Sequence, residues 1–274
     1  MNAPEFLKDV ENRLKELAEE TDEVKKSDFF KEYLDVVSKF WNYSYHNQLL
    51  IYFQNKNATR VAGFVKWQEL GRTIKKGSKA IKILAPFKRK ESDYDFELQK
   101  EVEKDIVRFY PVNVFDVSQT HGKELPKLEI AVDGNDQEWL LDKLKSFCKD
   151  NQIKLDFKKL GVNGLYGYSL GGKVVVSNAE SINTQANTLI HEIAHELIHK
   201  DKERKELSKQ QKEIQAEGTA YVVTKHLGLG NKSFNYLALY DADYKKIMEN
   251  LAVIANASKQ IIEYLAGENP VVSS

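Results

Sequence analysis

Residues 188–199 read TLIHEIAHELIH. Two histidines four residues apart lie on one face of an α-helix, so His191 and His195 can direct both imidazoles at a single metal ion. Apolar residues occupy most of the other positions, as expected for a helix that is buried on its remaining sides. Glu192 follows the first histidine directly and is placed beside the ion as a candidate general base. The stretch therefore predicts a helix that carries a catalytic metal centre.

A second predicted helix, at 207–227, offers the carboxylates that complete such a centre. Glu213 and Glu217 stand four residues apart on one face of this helix. We predict that Glu213 is the third metal ligand, and that Glu217 orients a ligand histidine through its other ring nitrogen. The opposite assignment, with Glu217 as the ligand, stays open. Small residues on this helix leave room for close packing: Ala216, Gly218 and Ala220.

Other polar residues near the motif are interpreted as structural. His199 lies about 12 Å along the helix axis from His191, at ~1.5 Å per residue, which is too far for both to reach one ion. We interpret His199 as a histidine that interacts with the carbonyl end of its helix. Glu203 and Glu206 lie among lysines between the two helices and are interpreted as surface carboxylates.

Three protein ligands leave one coordination position open, which is typical of catalytic rather than structural Zn²⁺. The metal polarises a carbonyl while Glu192 transfers a proton from water to the leaving amine, which predicts hydrolysis of a protein or peptide substrate. A strand pair before the helix is expected to offer an edge for an extended peptide. The residue that stabilises the oxyanion is left open among four candidates: Tyr166, Tyr168, Tyr221 and His226.

The composition limits the classes of protein to consider. With 274 residues, 42% hydrophobic and 30% charged, the chain is expected to fold as two globular domains. The single cysteine, Cys148, excludes an internal disulfide and a cysteine-based zinc site, and it predicts a cytoplasmic protein. No apolar run approaches the ~20 residues of a membrane span, and the acidic N-terminal stretch does not have the pattern of a secretory signal. The oligomeric state is not determined by the sequence.

The formal net charge of zero hides a strongly basic segment. Between residues 51 and 90 there are 11 basic residues and one acidic residue, Glu69, and aromatic residues lie among them. Cations that follow phosphates and rings that stack on bases are what single-stranded DNA requires. This pattern predicts DNA contacts from five residues: Trp67, Arg72, Lys75, Lys76 and Lys79. The alternatives are a solvated basic face and, for Trp67, a position in the core.

The order of the predicted elements indicates an α+β fold with two domains, at 1–127 and 128–274. The first domain is expected to pack N-terminal helices on a small antiparallel sheet with short strands at 80–85, 93–98 and 106–117. A linker is expected at 119–127. The second domain is expected to contain the metal-binding helix, an edge strand before it and C-terminal helices, with Gly171 and Gly172 as a hairpin turn.

Two segments, 44–86 and 109–126, resemble the N-terminal domain of ArdC-type antirestriction proteins. The matching features are Asn47, Trp67, Gly71-Arg72, Lys76-Gly77, Pro86 and the sequence VFDVSQT at 114–120. That domain is associated with single-stranded DNA binding, so the resemblance adds Asn47 to the expected DNA contacts.

The second half resembles the zinc metallopeptidase domain of the same family, which is related to ImmA/IrrE-type and SprT-like zincins. The resemblance implies that His191, His195 and Glu213 bind zinc and that Glu192 is catalytic. One hypothesis is a DNA-tethered zinc peptidase that protects incoming mobile-element DNA from restriction. The alternative is a non-catalytic single-strand-binding shield with a zincin scaffold. The intact HExxH motif favours the peptidase, because a scaffold has no need for Glu192.

Overall fold

The computed structural model describes residues 2–20, 23–95, 100–125, 138–162, 164–199, 207–229 and 244–267. The chain is α+β, as predicted, and divides into two compact units. The first unit comprises Met1–Arg13 and His46–Leu125, and the second comprises Leu14–Tyr45 and Pro126–Ser274. The division falls beside the predicted boundary at 127/128, but residues 14–45 pack with the second unit.

The elements follow one another in chain order. The helices are α1 (Ala3–Glu19), α2 (Glu23–Lys39), α3 (Tyr45–Gln54), α4 (Phe64–Glu69), α5 (Glu138–Asp150), α6 (Ile182–Ile198), α7 (Lys209–His226) and α8 (Tyr244–Ala266). The strands are β1 (Val61–Ala62), β2 (Arg72–Ile74), β3 (Ile81–Asp95), β4 (Lys100–Asp116), β5 (Thr120–Gly122), β6 (Lys154–Lys158), β7 (Gly167–Ser169) and β8 (Lys173–Ser177). None of the helices in the described part of the chain is long and apolar enough to span a membrane.

The first unit contains a long two-stranded ribbon. Strands β3 and β4 pair antiparallel from Ile81 opposite Val114 to Asp95 opposite Lys100, and β1 pairs with the other side of β4. The expectation of short, separate strands was therefore wrong. The ribbon is exposed on both faces at 86–90 and 107–112, so its sequence lacks the alternation of apolar and polar residues by which a half-buried strand is recognised.

The predicted linker also began too early. Thr120–Gly122 forms β5, which pairs antiparallel with β2. A turn of 3₁₀-helix at Val117–Gln119 precedes it, and the Asp116 carboxylate caps this turn by accepting from the Ser118 backbone N–H at 2.9 Å. The same carboxylate accepts from the backbone N–H of Thr59 at 2.7 Å. The VFDVSQT sequence therefore belongs to the fold of the first unit.

The second unit packs helices against a three-stranded mixed sheet in the order β6-β8-β7. Strand β8 runs parallel to β6 and antiparallel to β7, and the β7–β8 hairpin turns at Gly171 and Gly172, as predicted. The buried Val174–Val176 stretch of β8 lies in the core. Gly218 of α7 packs directly against Ile254 of α8, because a Cβ added to Gly218 would lie 2.7 Å from Ile254 Cδ1. This contact agrees with the close packing predicted from the small residues of α7.

Candidate metal centre and basic segment

Two neighbouring helices of the second unit carry the predicted metal ligands. Helix α6 begins after Ser181, whose hydroxyl accepts from the Thr184 backbone N–H, and it runs through both histidines of the motif. Helix α7 begins after Ser208, which forms a capping box with Gln211.

His191, His195 and Glu213 lie together, with one ligand atom from each within 4.8 Å of the others. The two histidine Nε2 atoms are 3.1 Å apart. The Glu213 carboxylate oxygens lie 3.5 Å from Nε2 of His191 and 3.8 Å from Nε2 of His195. Carboxylate and imidazoles thus meet at one point on the face between α6 and α7.

These separations suit a divalent metal. Ligand atoms at ~2.0–2.1 Å from a tetrahedral ion are roughly 3.3 Å from one another, within the range observed among the three residues. Two nitrogens and one carboxylate oxygen are also a donor set that divalent transition metals accept. A hydrogen bond from His191, together with the neighbouring His195 imidazole, holds the pKa of the Glu213 carboxyl well below its usual range, so this donor is ionised.

Glu192 is buried next to this cluster. Burial raises the pKa of the Glu192 carboxyl above its ordinary value, and His191 and His195 offset part of that effect. Strand β7 packs directly on α6 at this point, since a Cβ added to Gly167 would lie 2.6 Å from Thr188 Cγ2 and 3.3 Å from Glu192 Cγ. Only glycine permits this approach, and it brings the edge strand beside the candidate general base.

Glu217 lies behind His191, where the sequence analysis placed the orienting carboxylate. Its Oε1 is 3.5 Å from His191 Nδ1, the nitrogen that faces away from the cluster. Burial lowers the pKa of His191, but Glu213 and Glu217 outweigh it and the pKa is raised. The Glu213 carboxylate therefore lies near Nε2 of His191, and the Glu217 carboxylate lies near Nδ1 of the same ring.

His199 contacts His195, a role that the sequence analysis did not anticipate. The Nδ1 atoms of His195 and His199 are 2.9 Å apart, and His199 Nε2 lies 2.9 Å from Gln215 Oε1. The Gln215 amide in turn donates to Asn250 Oδ1 at 2.7 Å.

This chain of contacts selects one tautomer of His195. Because Gln215 Oε1 only accepts, His199 Nε2 carries a hydrogen, and the neutral ring accepts at Nδ1. His195 must then donate from its own Nδ1, which leaves the Nε2 lone pair directed at the cluster. In the sequence, this arrangement is indicated by His199, four residues after the candidate ligand His195, and by Gln215 on the next helix.

Glu196 ties α6 to the β7–β8 hairpin. Its buried carboxylate accepts from the Ser169 hydroxyl at 2.5 Å, from the Gly171 backbone N–H at 2.9 Å and from the Gly172 backbone N–H. These bonds hold the hairpin tip against the helix that carries the cluster. The sequence analysis did not single out Glu196.

The structure narrows the list of oxyanion candidates. The Tyr221 hydroxyl donates to Asp35 at 2.6 Å, and His226 Nδ1 lies 2.9 Å from the Ser38 carbonyl, so both side chains are engaged with α2. Tyr168 lies on β7 with its ring centroid 5.6 Å from Lys158 Nζ, and the exposed Tyr166 precedes β7. Glu203 and Glu206 lie outside the described residues.

In the first unit, two of the predicted DNA contacts belong to the core. Trp67 is only 2% exposed, and its Nε1 donates to the Phe115 carbonyl at 2.9 Å. The buried Asn47 amide donates to the Leu84 carbonyl and accepts from its N–H, at 2.9 and 2.8 Å. These side chains hold α4 and α3 to the sheet, so their assignment to DNA contact is corrected.

The four basic residues predicted to contact DNA, at positions 72, 75, 76 and 79, make different contacts in the structure. Arg72 donates from Nε to Thr120 Oγ1 at 2.8 Å and from Nη1 to the Lys123 carbonyl, which joins β2 to the chain around β5. The Lys75 ammonium donates to the Ser118 carbonyl at 2.8 Å. Lys76 and Lys79 are exposed. Of the six predicted DNA contacts, these two present their charge to solvent most directly.

Two family models match the chain in succession. Residues 5–115 match the N-terminal domain of anti-restriction factor ArdC, and residues 148–264 match the IrrE N-terminal-like domain of a peptidase family. The second match contains α6 and α7, and hence all the residues of the cluster. The candidate metal site therefore lies within the part of the chain that matches a domain of a peptidase family.

Individual relatives are more distant. An uncharacterized protein of Bacillus anthracis, pXO2-81, is 25% identical over 80% of this chain, which spans 44% of that relative's length. The metal-free crystal structure of the antirestriction protein ArdC from plasmid R388 superposes with a TM-score of 0.54 at 19% identity, covering 82% of this chain and 85% of that one. Its Mn(II)-bound structure gives 0.50 at 16% identity, covering 86% and 99%. These structures share the fold.

Proposed function

The chain belongs to the ArdC type of antirestriction proteins, and from this premise we propose that it is a Zn²⁺-dependent peptidase that cleaves proteins on or near single-stranded DNA. The first unit would hold the DNA and the second would carry out hydrolysis. This combination suits a cytoplasmic protein that protects incoming mobile-element DNA from restriction.

One observation carries the enzymatic proposal. Glu192 is buried beside the three ligand atoms, and burial raises its pKa. Burying an ionisable carboxylate is unfavourable unless its charge is compensated, whereas a general base works best when its pKa lies near the working pH. The non-catalytic shield requires the ligands for its fold but has no use for Glu192.

The proposed reaction uses the residues of α6 and β7. A bound divalent metal supplies Lewis-acid polarisation of the scissile carbonyl and of water. Glu192 accepts a proton from the water whose oxygen adds to the carbonyl carbon, and it delivers that proton to the amine nitrogen as the C–N bond breaks. An extended peptide would pair with the outer edge of β7, which Glu196 and Gly167 hold beside Glu192.

The choice of Zn²⁺ follows from the ligands. Two imidazoles and one carboxylate are the set found in catalytic zinc sites of hydrolases, whereas Mn²⁺ favours sites richer in oxygen. The R388 protein binds Mn(II) in its crystal structure. Competition between Zn²⁺ and Mn²⁺ for the metal-free chain, followed by elemental analysis, decides between them for this protein.

The test of the peptidase compares Glu192→Gln with Glu249→Gln, an exposed glutamate of α8. Removing the general base should lower cleavage of casein by about 10²–10⁴-fold, with zinc content unchanged, while Glu249→Gln should cleave as the wild type does. Equal cleavage by Glu192→Gln would refute the role of Glu192. A zinc-loaded wild type that cleaves neither casein nor a DNA-bound protein, with and without single-stranded DNA, would favour the shield.

The DNA half of the proposal is tested by titrating the full chain with a 30-mer single strand at low salt. Affinity should fall with salt at a log–log slope of ~0.7 per phosphate contacted. Changing both Lys76 and Lys79 to Gln should lower the slope if these exposed cations meet phosphates. No binding by the folded wild type at low salt would remove DNA from the proposal.

A further inference from the structure

The β3–β4 ribbon carries an exposed surface that the metal centre does not use. Side chains alternate between the two faces of a ribbon, and residues opposite each other across the strands share a face. One face therefore carries Ala85 with Tyr110, Phe87 with Arg108, and Arg89 with Ile106. These six residues are called the ribbon face below.

Two aromatic rings stand out on this surface. Phe87 is 53% exposed and Tyr110 is 47% exposed, and their centroids are 5.7 Å apart with planes at 85°. Rings placed in the core gain stability by burial, whereas these two leave half of their surface in water. Their edge-to-face contact holds them together as a small aromatic platform.

The charge around the platform is positive. Arg108 lies directly opposite Phe87, and Arg89 follows two residues along on the same face. The three residue pairs of the ribbon face contain no acidic residue, and the next pair in register, Glu91 with Lys104, has one charge of each sign. On the opposite face, Lys88 and Lys90 are matched by Asp105, the cross-strand neighbour of Lys90, and by Glu103, which forms an ion pair with Lys90 at 2.9 Å. The two faces therefore differ in charge.

We infer that the ribbon face binds single-stranded DNA, with bases stacked on Phe87 and Tyr110 and with phosphates near Arg89 and Arg108. Stacking needs bases that are not enclosed in a duplex, so the platform selects single strands. The inference rests on the proposed DNA binding of the first unit, and it replaces the buried Trp67 with exposed rings.

The charge also distinguishes DNA from a second copy of the chain. A two-fold pairing of ribbon faces would bring the arginines of one copy towards those of the other. Like charges across such a contact are unfavourable, whereas a polyanion neutralises them. The combination of arginines with exposed rings therefore favours nucleic acid.

The experiment compares two variants of the full chain, Phe87→Ala/Tyr110→Ala and Phe109→Ala. Phe109 is 54% exposed on the opposite face of the same ribbon, next to Tyr110 in sequence, and is the matched control. Binding to a labelled 20-mer of deoxythymidine is measured by anisotropy, and a 20-mer of abasic sites supplies phosphates without bases.

We expect the double variant to bind the thymidine strand more weakly than the wild type does. The loss should be about fivefold to a hundredfold for each base that no longer stacks on a ring. Phe109→Ala should bind as the wild type does. On the abasic strand the wild type and the double variant should bind equally. Changing Arg89 and Arg108 to Gln should lower the salt slope by ~0.7 for each phosphate lost.

The outcomes separate this inference from the proposed function. Wild-type binding with an unaffected double variant overturns the ribbon face and leaves the DNA-binding function intact. No wild-type binding to the thymidine strand overturns DNA binding itself. A double variant that changes the sedimentation mass of the DNA-free chain overturns the inference in favour of a protein interface. Because both rings are exposed, an unchanged melting temperature shows that the variant is folded.

Discussion

The candidate metal-binding helix and the basic segment were both predicted from clustered residues, but the clustered residues converge in the structure only for the helix. On α6 and α7, the three predicted ligands lie with their donor atoms within 4.8 Å of one another. In the basic segment, Trp67 is buried and Arg72 and Lys75 donate to backbone carbonyls. The spacing of two histidines on a helix correctly predicted that their side chains converge. The density of basic residues along the chain did not predict which of them are exposed to bind DNA.

The difference has a geometric origin. Two residues four apart on a helix face the same way whatever surrounds the helix, so His191 and His195 share a target by local geometry alone. Cations in β2 and in the segment between β2 and β3 have no such constraint. Long side chains there can reach neighbouring carbonyls, as Lys75 reaches Ser118.

The largest effect should come from Trp67→Ala. Removing a buried tryptophan leaves a cavity and should lower the stability of the first unit by about 3–5 kcal/mol. Phe64→Ala, on the exposed side of the same helix, should change stability little. Melting curves of the two variants make the comparison. If the Trp67→Ala variant were stable but no longer bound DNA, Trp67 would be a DNA contact after all. The basic segment would then differ less from the candidate metal centre.

The next effect concerns the third ligand. Glu213→Ala should weaken metal affinity by more than the roughly 10–100-fold expected when an orienting partner is lost, and Glu217→Ala should stay within that range. Isothermal titration with Zn²⁺ into the metal-free variants measures both, with Glu249→Ala as the control. A greater loss in Glu217→Ala would reverse the two roles.

His199 should have a smaller effect on the same equilibrium. His199→Phe removes the acceptor for His195 Nδ1–H and should weaken Zn²⁺ binding about 10–100-fold. His199→Asn offers an amide oxygen and should recover part of that loss. If both variants bind Zn²⁺ as tightly as the wild type does, His199 serves only the end of the helix, as the sequence analysis proposed.

The smallest effect should be the pH dependence of Asp116. Burial raises the pKa of this carboxyl, but hydrogen bonds from Ser118, Thr59 and Arg60 outweigh it, and the folded pKa is lowered. A lowered pKa contributes stability above the unfolded value of ~3.9, and that contribution is lost as pH falls through the lower folded value.

Asp116→Asn should therefore destabilise the first unit by about 0.5–1.5 kcal/mol near pH 7. The gap from the wild type should narrow as the pH falls below about 4. Urea unfolding at several pH values measures this gap. A gap that is constant with pH would show that the capping bonds, and not the charge, stabilise the turn.

Much of the fold was predictable from local patterns. The helix predicted at 207–227 forms as α7 at Lys209–His226, because the signals that start and end a helix are local. The β7–β8 hairpin followed from its paired glycines. The ribbon was missed as a continuous element because exposed strands do not alternate, and β5 was missed because its partner, β2, lies 48 residues earlier at Arg72–Ile74.

The sequence by itself determined the chemistry of α6, because the spacing of His191, Glu192 and His195 acts through the geometry of one helix. Only the tertiary structure decided what meets that helix from elsewhere in the chain. It placed Glu213 on the Nε2 side of His191 and Glu217 on the Nδ1 side. It placed His199 and Gln215 next to His195, on the side away from the cluster. In the first unit it buried Trp67 and left Phe87 and Tyr110 exposed. These choices depend on how distant segments pack, and packing is not encoded in any single local spacing.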